Sequence, residues 1–268
     1  VAVEPPPFPG TGFYNGTGDF IGAFNTGNKT VPVFRNDNIT NDTNWNLIGN
    51  PYPSAISAEA FLLENFFDAS LNPNGTLDGA IYLWTHNSLA DAANPGNEVF
   101  NFSQDDYATM NIVGGVFGAP LPPDSSPSVP GDQTPNGYIP SGQGFFASYA
   151  DGSPSTNVGT IHEGEVRFTN AMRMADATSN SQFFKNSNIK SKTSTSTNKL
   201  WVNLTSDNGV FNQILIGYLN MASNNYDGDA FDAPKNLSSD AAAILYSTIN
   251  DSAKKFAIQG KAETSLSE

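Results

Sequence analysis

Helical spacing of apolar residues is confined to one short run in this chain, which limits the fold to one built mainly from strands. In residues 58–67 the apolar side chains recur at the three- and four-residue intervals of a helix face. Ser54 or Ser57 can cap the first turn of this helix. The preceding run WNLIGNPYPS, residues 45–54, predicts a strand and then a rigid corner, because its two prolines lack backbone donors and restrict the residues before them.

Short runs rich in β-branched and aromatic residues make up most of the remaining chain. Charged residues are only 14% of the total, so the polar positions fall to Asn, Ser, Thr and Gly, which favour strands and turns over helices. Runs at 20–24 and 30–34 flank the turn residues 25–28, which predicts a hairpin. We predict a mainly β fold: a jelly-roll-like β-sandwich with one short helix, plus a second, partial β-sandwich.

Composition divides the chain into four parts. The predicted parts are an extended, proline-rich lead-in (1–12), a β-sandwich domain (13–185) with a Pro-rich loop (119–136), a polar linker (186–198), and a second, incomplete β unit (199–268). Strand-like runs in the last part occur at 199–205, 211–219, 242–246 and 255–260. Four strands are too few to close a sandwich easily. The start at Val1, without a signal peptide, indicates a processed or excised piece of a longer protein.

The charge balance excludes two classes of partner. Twelve basic residues face 26 acidic ones, for a net charge of −14. Phosphate backbones and anionic lipid surfaces repel such a protein, so we expect no binding to nucleic acids or anionic membranes. No apolar run reaches 18 residues, so we also expect no membrane insertion. Cysteine is absent, so disulfides and thiolate metal sites are excluded.

No sequence motif indicates an enzyme. Ser141 lacks the glycine spacing of a nucleophile elbow. The two histidines, His86 and His162, are better explained as surface or capping residues than as zinc ligands. The carboxylate pairs Asp105–Asp106 and Glu163/Glu165 leave open a hydrolase fragment, because two carboxylates suffice for glycoside hydrolysis.

One acidic loop is a candidate calcium site. In YDGDAFD, Asp227 and Asp229 are two residues apart and Asp232 follows, around a glycine. Carboxylate oxygens in a glycine-containing loop are ligands that Ca²⁺ prefers, although the loop lacks the EF-hand pattern. No cofactor is required by any motif, and an ordinary Asx-rich turn is the alternative interpretation.

Aromatic side chains supply the remaining binding candidates. Flat apolar rings with polar rims can stack on sugars. The three tryptophans, Trp45, Trp84 and Trp201, lie within apolar strand-like runs, so we expect each in the core. The candidates for ligand contact are therefore Tyr14, Tyr138 and Tyr149.

Nine motifs occur in a recognisable order along residues 12–262. They are WNLIGNPYPSAI, AIYLWTHN, DDYATMN, IPSGQGFF, VRFTNAMR, FFKN, KLWVNLT, FNQILIGY and FAIQGKA. This order resembles the region upstream of the C-terminal sorting domain in large secreted surface proteins of Bacteroidetes, especially flavobacteria. The resemblance implies export by the type IX secretion machinery and display at the outer cell surface or release. It implies no catalytic residues.

The same resemblance bears on the second β unit. In such proteins the segment like LWVNLT opens a second β-sandwich that continues beyond the segment like IQG. Either this chain is truncated, or a neighbour completes the sheet by strand addition.

Together these observations predict a non-enzymatic, extracellular structural or adhesive protein, such as a subunit of an extracellular fibre. Its expected partners are neighbouring copies or other surface proteins, with glycans as further candidates. The first alternative is a carbohydrate-binding accessory module of a secreted polysaccharide-degrading enzyme, and the second is the hydrolase fragment.

Overall fold

A computed structural model of the 268-residue chain confirms the mainly β fold. It describes residues 22–38, 40, 43–85, 92, 96, 99–101, 106–118, 135–176, 179, 198–205, 211–235 and 243–267. The lead-in, Tyr14, His86, Asp105, most of the Pro-rich loop and all of the linker except Asn198 lie outside these residues.

Thirteen strands and one α-helix occur in the described part of the chain. The strands are β1 (Lys29–Asn36), β2 (Trp45–Gly49), β3 (Ile56–Ser57), β4 (Leu77–Trp84), β5 (Tyr107–Met110), β6 (Gly115–Val116), β7 (Tyr138–Ile139), β8 (Gly144–Tyr149), β9 (Thr156–Val158), β10 (Ile161–Phe168), β11 (Lys199–Thr205), β12 (Phe211–Leu219) and β13 (Ile258–Ala262). The helix is α1 (Ala58–Asn65). It contains eight residues. No helix in this part of the chain has the length and apolar character needed to span a bilayer.

Two sheets and the helix enclose the main core. One sheet has the strand order β2-β8-β4-β5-β6 and the other β1-β10-β9, while β3 and β7 form a small ribbon. The residues packed between them alternate along each strand, as expected when one face of a sheet is buried. The core residues contributed by these elements include Val33, Ile48, Ile56, Ala58, Phe61, Leu62, Leu77, Ile81, Leu83, Ala108, Met110, Ile139, Phe145, Ala147, Tyr149, Val166 and Phe168.

The helix forms where the sequence predicts it, and its ends have specific causes. The Ser57 hydroxyl accepts a hydrogen bond from the Ala60 amide at 3.1 Å, which caps the first turn. Phe61 is fully buried and stacks on Phe168 of β10, with ring centroids 4.8 Å apart. The buried Asn65 side chain donates to the backbone carbonyl of Arg167 and accepts from its amide, so it joins the helix to β10.

Strand β1 corrects the predicted hairpin. Residues 23–28 contain no strand, and β1 pairs along its whole length with β10, from Lys29 opposite Phe168 to Asn36 opposite Ile161. The local turn signal at residues 25–28 is therefore not used for a hairpin. β10 offers eight paired positions and places Val166 and Phe168 in the main core beside Val33 of β1, which outweighs a local pairing of five residues.

The last third of the chain forms a third sheet with the order β11-β12-β13. β11 and β12 are antiparallel, whereas β12 and β13 are parallel. The predicted strand at 242–246 is wrong for its described part, because residues 243–246 form no strand and Ser247 makes only an isolated bridge to Phe256.

This third sheet packs on the outer side of the sandwich instead of standing apart. One buried cluster combines residues of both parts: Ala80, Val113 and Val116 from the first, with Leu215, Ala233, Ala257 and Ile258 from the second. The indole nitrogen of Trp201 also donates to the Gly115 carbonyl at 3.1 Å. The two β units therefore share buried apolar surface, which stabilises their contact.

Candidate functional site

The three aspartates predicted to bind calcium lie in one loop but point to two places. Asp232 is fully buried, and its carboxylate accepts from the amides of Asp227 and Gly260, both at 3.1 Å. Burial, together with the neighbouring Asp227 side chain, raises the pKa of Asp232 to about 8. The Asp227 carboxylate accepts from the Ser223 amide at 2.7 Å, and its other oxygen is buried without a hydrogen-bond partner.

Asp229 is held by other groups. Its carboxylate accepts from the Tyr226 hydroxyl at 2.7 Å and lies 3.2 Å from the Lys254 ammonium. Its backbone carbonyl accepts from the Asn111 side chain at 3.1 Å. Since Asn111 belongs to the sandwich, this end of the loop holds the two β units together.

No group of three or more His, Cys, Asp or Glu side chains suited to a metal ion occurs among the described residues. Asp227 and Asp232 lie next to each other, whereas the Asp229 carboxylate forms an ion pair with Lys254. The calcium prediction stays a prediction. Its test is a rise of the melting temperature on adding Ca²⁺, which Asp227→Asn should remove.

The paired aspartates predict an unusual pH dependence of stability. Between the ordinary value of 3.8 and the folded value of about 8, the unfolded chain has lost a proton that the folded Asp232 keeps. The contribution of protonated Asp232 to the free energy of unfolding is therefore fully present below pH 3.8 and is lost as the pH rises to about 8. In Asp227→Asn the new amide can donate to an ionised Asp232, so we expect this loss to shrink and the variant to melt several degrees above wild type at pH 9.

The measurement is a series of thermal unfolding curves from pH 5 to pH 9. Asp251→Asn is the control, because Asp251 is an exposed carboxylate near the same loop. If the melting temperatures of wild type and Asp227→Asn change with pH in parallel, Asp227 does not contribute to the raised pKa of Asp232.

The described tyrosine candidates have different environments. Tyr149 is fully buried, its hydroxyl donates to the Pro154 carbonyl at 3.1 Å, and the Arg35 guanidinium lies 5.1 Å from its ring centroid. The prediction of Tyr149 as an accessible ligand contact is therefore wrong. Tyr138 is half-buried in the small ribbon β3–β7 and remains accessible.

Two tryptophans predicted to lie in the core are instead at the surface. Trp45 is 57% exposed and Trp201 is 38% exposed, while Trp84 is half-buried. In β2, Ile48 faces the core, so Trp45 and Leu47 point to the opposite side of the sheet. The row of β2 that faces the core contains Asn46 and Ile48, whereas the outer row contains the more apolar Trp45 and Leu47, so alternation alone would have placed the wrong row in the core.

A polar network surrounds His162 on β10. Its Nε2 lies 3.0 Å from the Asp37 carboxylate, and its Nδ1 lies 2.9 Å from the Ser155 hydroxyl. Arg35 also reaches Nδ1 at 3.2 Å, and a guanidinium can only donate. Nδ1 is thus the acceptor and Nε2 carries the hydrogen that Asp37 accepts. Arg35 and Ser155 compete for the same lone pair, so this network resembles a Ser–His–Asp triad in composition but leaves no base free for the serine.

The two carboxylate pairs considered for hydrolysis differ in burial. Asp106 is fully buried directly before β5, and its partner Asp105 lies outside the described residues. Glu163 and Glu165 are exposed and two residues apart on β10, and the hydrolase alternative stays a prediction.

The outer edge of β11 is open among the described strands. β11 is the terminal strand of its sheet and pairs only with β12. Leu200 on this strand is 55% exposed, beside the exposed Trp201. An edge strand with exposed apolar side chains offers backbone donors and acceptors to another chain.

The fold is thus a β-sandwich with an additional sheet that has an open edge and an exposed aromatic surface. The chain belongs to the family described as Domain of unknown function (DUF8693), whose family model matches residues 9–267. No curated protein and no solved structure matches this chain.

Proposed function

We propose that this protein is a non-enzymatic, secreted cell-surface protein with a structural or adhesive role, whose third sheet is extended by a strand from a neighbouring chain. The observation that carries the proposal is the open β11 edge with its exposed Leu200 and Trp201. Strand addition satisfies the unpaired backbone groups of such an edge and buries its apolar side chains. The ordered surface-protein motifs of the sequence support export by type IX secretion and an extracellular location.

The form of the edge also supports a partner. Soluble proteins commonly protect edge strands with charged residues, prolines or bulges. Between Leu200 and Thr205 the sequence LWVNLT contains none of the charged or proline residues used for this protection. The partner strand would pair with β11 and contact the side of the sheet that carries Leu200.

Self-association should therefore depend on Leu200. Leu200→Lys places a charge on the edge, and we expect it to raise the protein concentration needed for assembly by about tenfold, equivalent to about 1.4 kcal/mol. Light scattering across a concentration series and electron microscopy of the same samples measure this effect.

Leu71→Lys is the matched control, because Leu71 is also 55% exposed but lies in a turn away from the sheet edge. Wild type and Leu71→Lys should assemble alike. A wild-type protein that stays monomeric at every concentration, or a Leu200→Lys variant that assembles normally, would contradict the proposal.

A further inference from the structure

A second exposed surface lies on the five-stranded sheet, on the side away from the main core. We call it the aromatic face. Its members are the outward-pointing side chains Trp45, Leu47, Tyr82, Trp84, Tyr107 and Phe146. Strand register places them side by side, since Leu47 is opposite Phe146, Phe146 is opposite Tyr82, and Trp84 is opposite Tyr107.

Contacts between the rings hold this face in one arrangement. Trp45 meets Tyr82 edge to face, with centroids 5.0 Å apart at 75°. Tyr107 makes similar contacts with Trp84 at 4.9 Å and with Phe146 at 5.8 Å. Edge-to-face pairs of this kind stabilise each other. The rings are therefore positioned before any ligand arrives, which lowers the entropy cost of binding.

The exposed part of the face is concentrated on β2. Trp45 is 57% exposed and Leu47 is 69% exposed, because the third sheet does not cover β2. That sheet instead packs at the other end, where Tyr82 contacts the cluster containing Ala80 and Leu215. A contiguous apolar surface beside a filled core is a mark of a binding site.

The chemistry of the face favours an uncharged ligand. The outward positions of β2 and β8 contain no charged side chain, the polar member being Ser148, which hydrogen-bonds to Asp78. The chain carries a net charge of −14 and none of the six members of the aromatic face is basic, so a polyanion would be repelled. Flat aromatic rings with a hydroxyl at the margin match the C–H faces and hydroxyl groups of a neutral sugar.

We propose that the aromatic face binds uncharged polysaccharide, with Trp45 and Phe146 stacking on sugar rings. Neighbouring strands are about 4.8 Å apart, so Leu47 on β2 and its partner Phe146 on β8 present apolar contacts at that interval. Tyr82 on β4 packs against the third sheet and supports Trp45. An open, extended row suits a polymer chain better than a compact ligand, which would require a pocket. The face lies on a different sheet from β11, so this proposal and the strand-addition proposal stand or fall separately.

Affinity electrophoresis of the full chain in gels containing a soluble polysaccharide tests the proposal. The probes are hydroxyethyl cellulose and a soluble mannan as neutral polymers, and carboxymethyl cellulose as the charged counterpart. We expect retardation by at least one neutral polymer and none by the charged one. Trp45→Ala should weaken that retardation about tenfold, as expected for loss of one aromatic contact, and Trp45→Tyr should restore part of it.

Phe24→Ala is the control, because Phe24 is 80% exposed and lies outside the aromatic face. It should bind like wild type. Trp45→Ala also removes the contact with Tyr82, so we expect a small decrease in the unfolding temperature, and unfolding curves verify that every variant is folded at the temperature of the binding assay. Phe146→Ser tests the second stacking residue.

Four results would overturn the proposal. They are no retardation by either neutral polymer, equal or stronger retardation by carboxymethyl cellulose, a Trp45→Ala variant that binds like wild type, and a dimer whose formation depends on Trp45. The last result would assign the aromatic face to contact with a second copy of this chain. Assembly that depends on Leu200 alone would leave the polysaccharide proposal intact.

Discussion

Replacing Asn50 by Ala should destabilise the protein by about 3–4 kcal/mol, because it removes the hydrogen bonds that one buried side chain makes to four backbone groups. The Asn50 side chain is 5% exposed and donates to the carbonyls of Ser54, Ile139 and Pro140 at 2.9–3.0 Å. Its oxygen accepts from the Tyr52 amide at 3.0 Å. One side chain thus joins the proline corner to the chain that enters β8.

Two further variants separate the causes of this loss. Asn50→Asp keeps the side-chain volume but removes the donors, so it should destabilise at least as much as Asn50→Ala at neutral pH. Asn25→Ala is the control, since Asn25 is exposed and donates one bond to Pro51 of the same corner. We expect it to cost less than about 1 kcal/mol. Chemical denaturation measures all three, and similar losses for Asn50→Ala and Asn25→Ala would contradict the assignment.

Gly79→Ala should destabilise the protein by about 3–5 kcal/mol, through backbone strain and a steric clash together. Gly79 has φ of +102°, and a Cβ atom added there would lie 2.5 Å from the Cβ of Ala230 and 2.7 Å from its backbone nitrogen. The register of β4 against β8 shifts between Leu77 and Ile81, so Gly79 lies at an irregularity of the strand. The contact joins the sandwich to the loop of the second unit.

Gly152→Ala isolates the strain from the clash. Gly152 also has a positive φ, +78°, but its added Cβ would meet no atom within 4 Å. It should therefore cost only about 1–2 kcal/mol. Hydrogen exchange adds a local readout: Gly79→Ala should reduce protection in β12 and β13, and Gly152→Ala should not. Equal effects of the two variants would show that the close approach to Ala230 does not constrain the packing of the units.

The two proposals use different physical properties of the same architecture. The β11 edge offers unpaired backbone groups, so the partner that we propose for it is another strand. Main-chain hydrogen bonds, which do not depend on the partner's sequence, would provide most of the affinity. The aromatic face offers side chains alone, so its ligand must match ring positions. A surface protein with both could join copies through β11 and hold polysaccharide through β2 and β8.

Local features were predictable from the sequence because they depend on residues close together in the chain. The Ser57 cap and the apolar spacing of residues 58–67 predict α1, and the alternation in residues 199–205 predicts β11. The prolines at 51 and 53 predict the corner. The absence of cysteine excludes disulfides, and the excess of acidic over basic residues makes the chain acidic. The small fraction of charged residues and the many turn-forming residues predict a mainly β fold. None of these conclusions depends on a tertiary contact.

Pairing and exposure were decided only by the tertiary structure. β1 pairs with β10, more than 120 residues away, because eight paired positions and a shared core outweigh the local turn signal. Period-two alternation divides Trp45 and Leu47 from Asn46 and Ile48, and the more apolar of these two rows is the one at the surface, so the sequence could not say which row faces the core. Tyr149 was placed in the core, and Trp45 at the surface, by the packing of the sheets. Burial depends on which elements meet, and that depends on contacts between residues far apart in sequence.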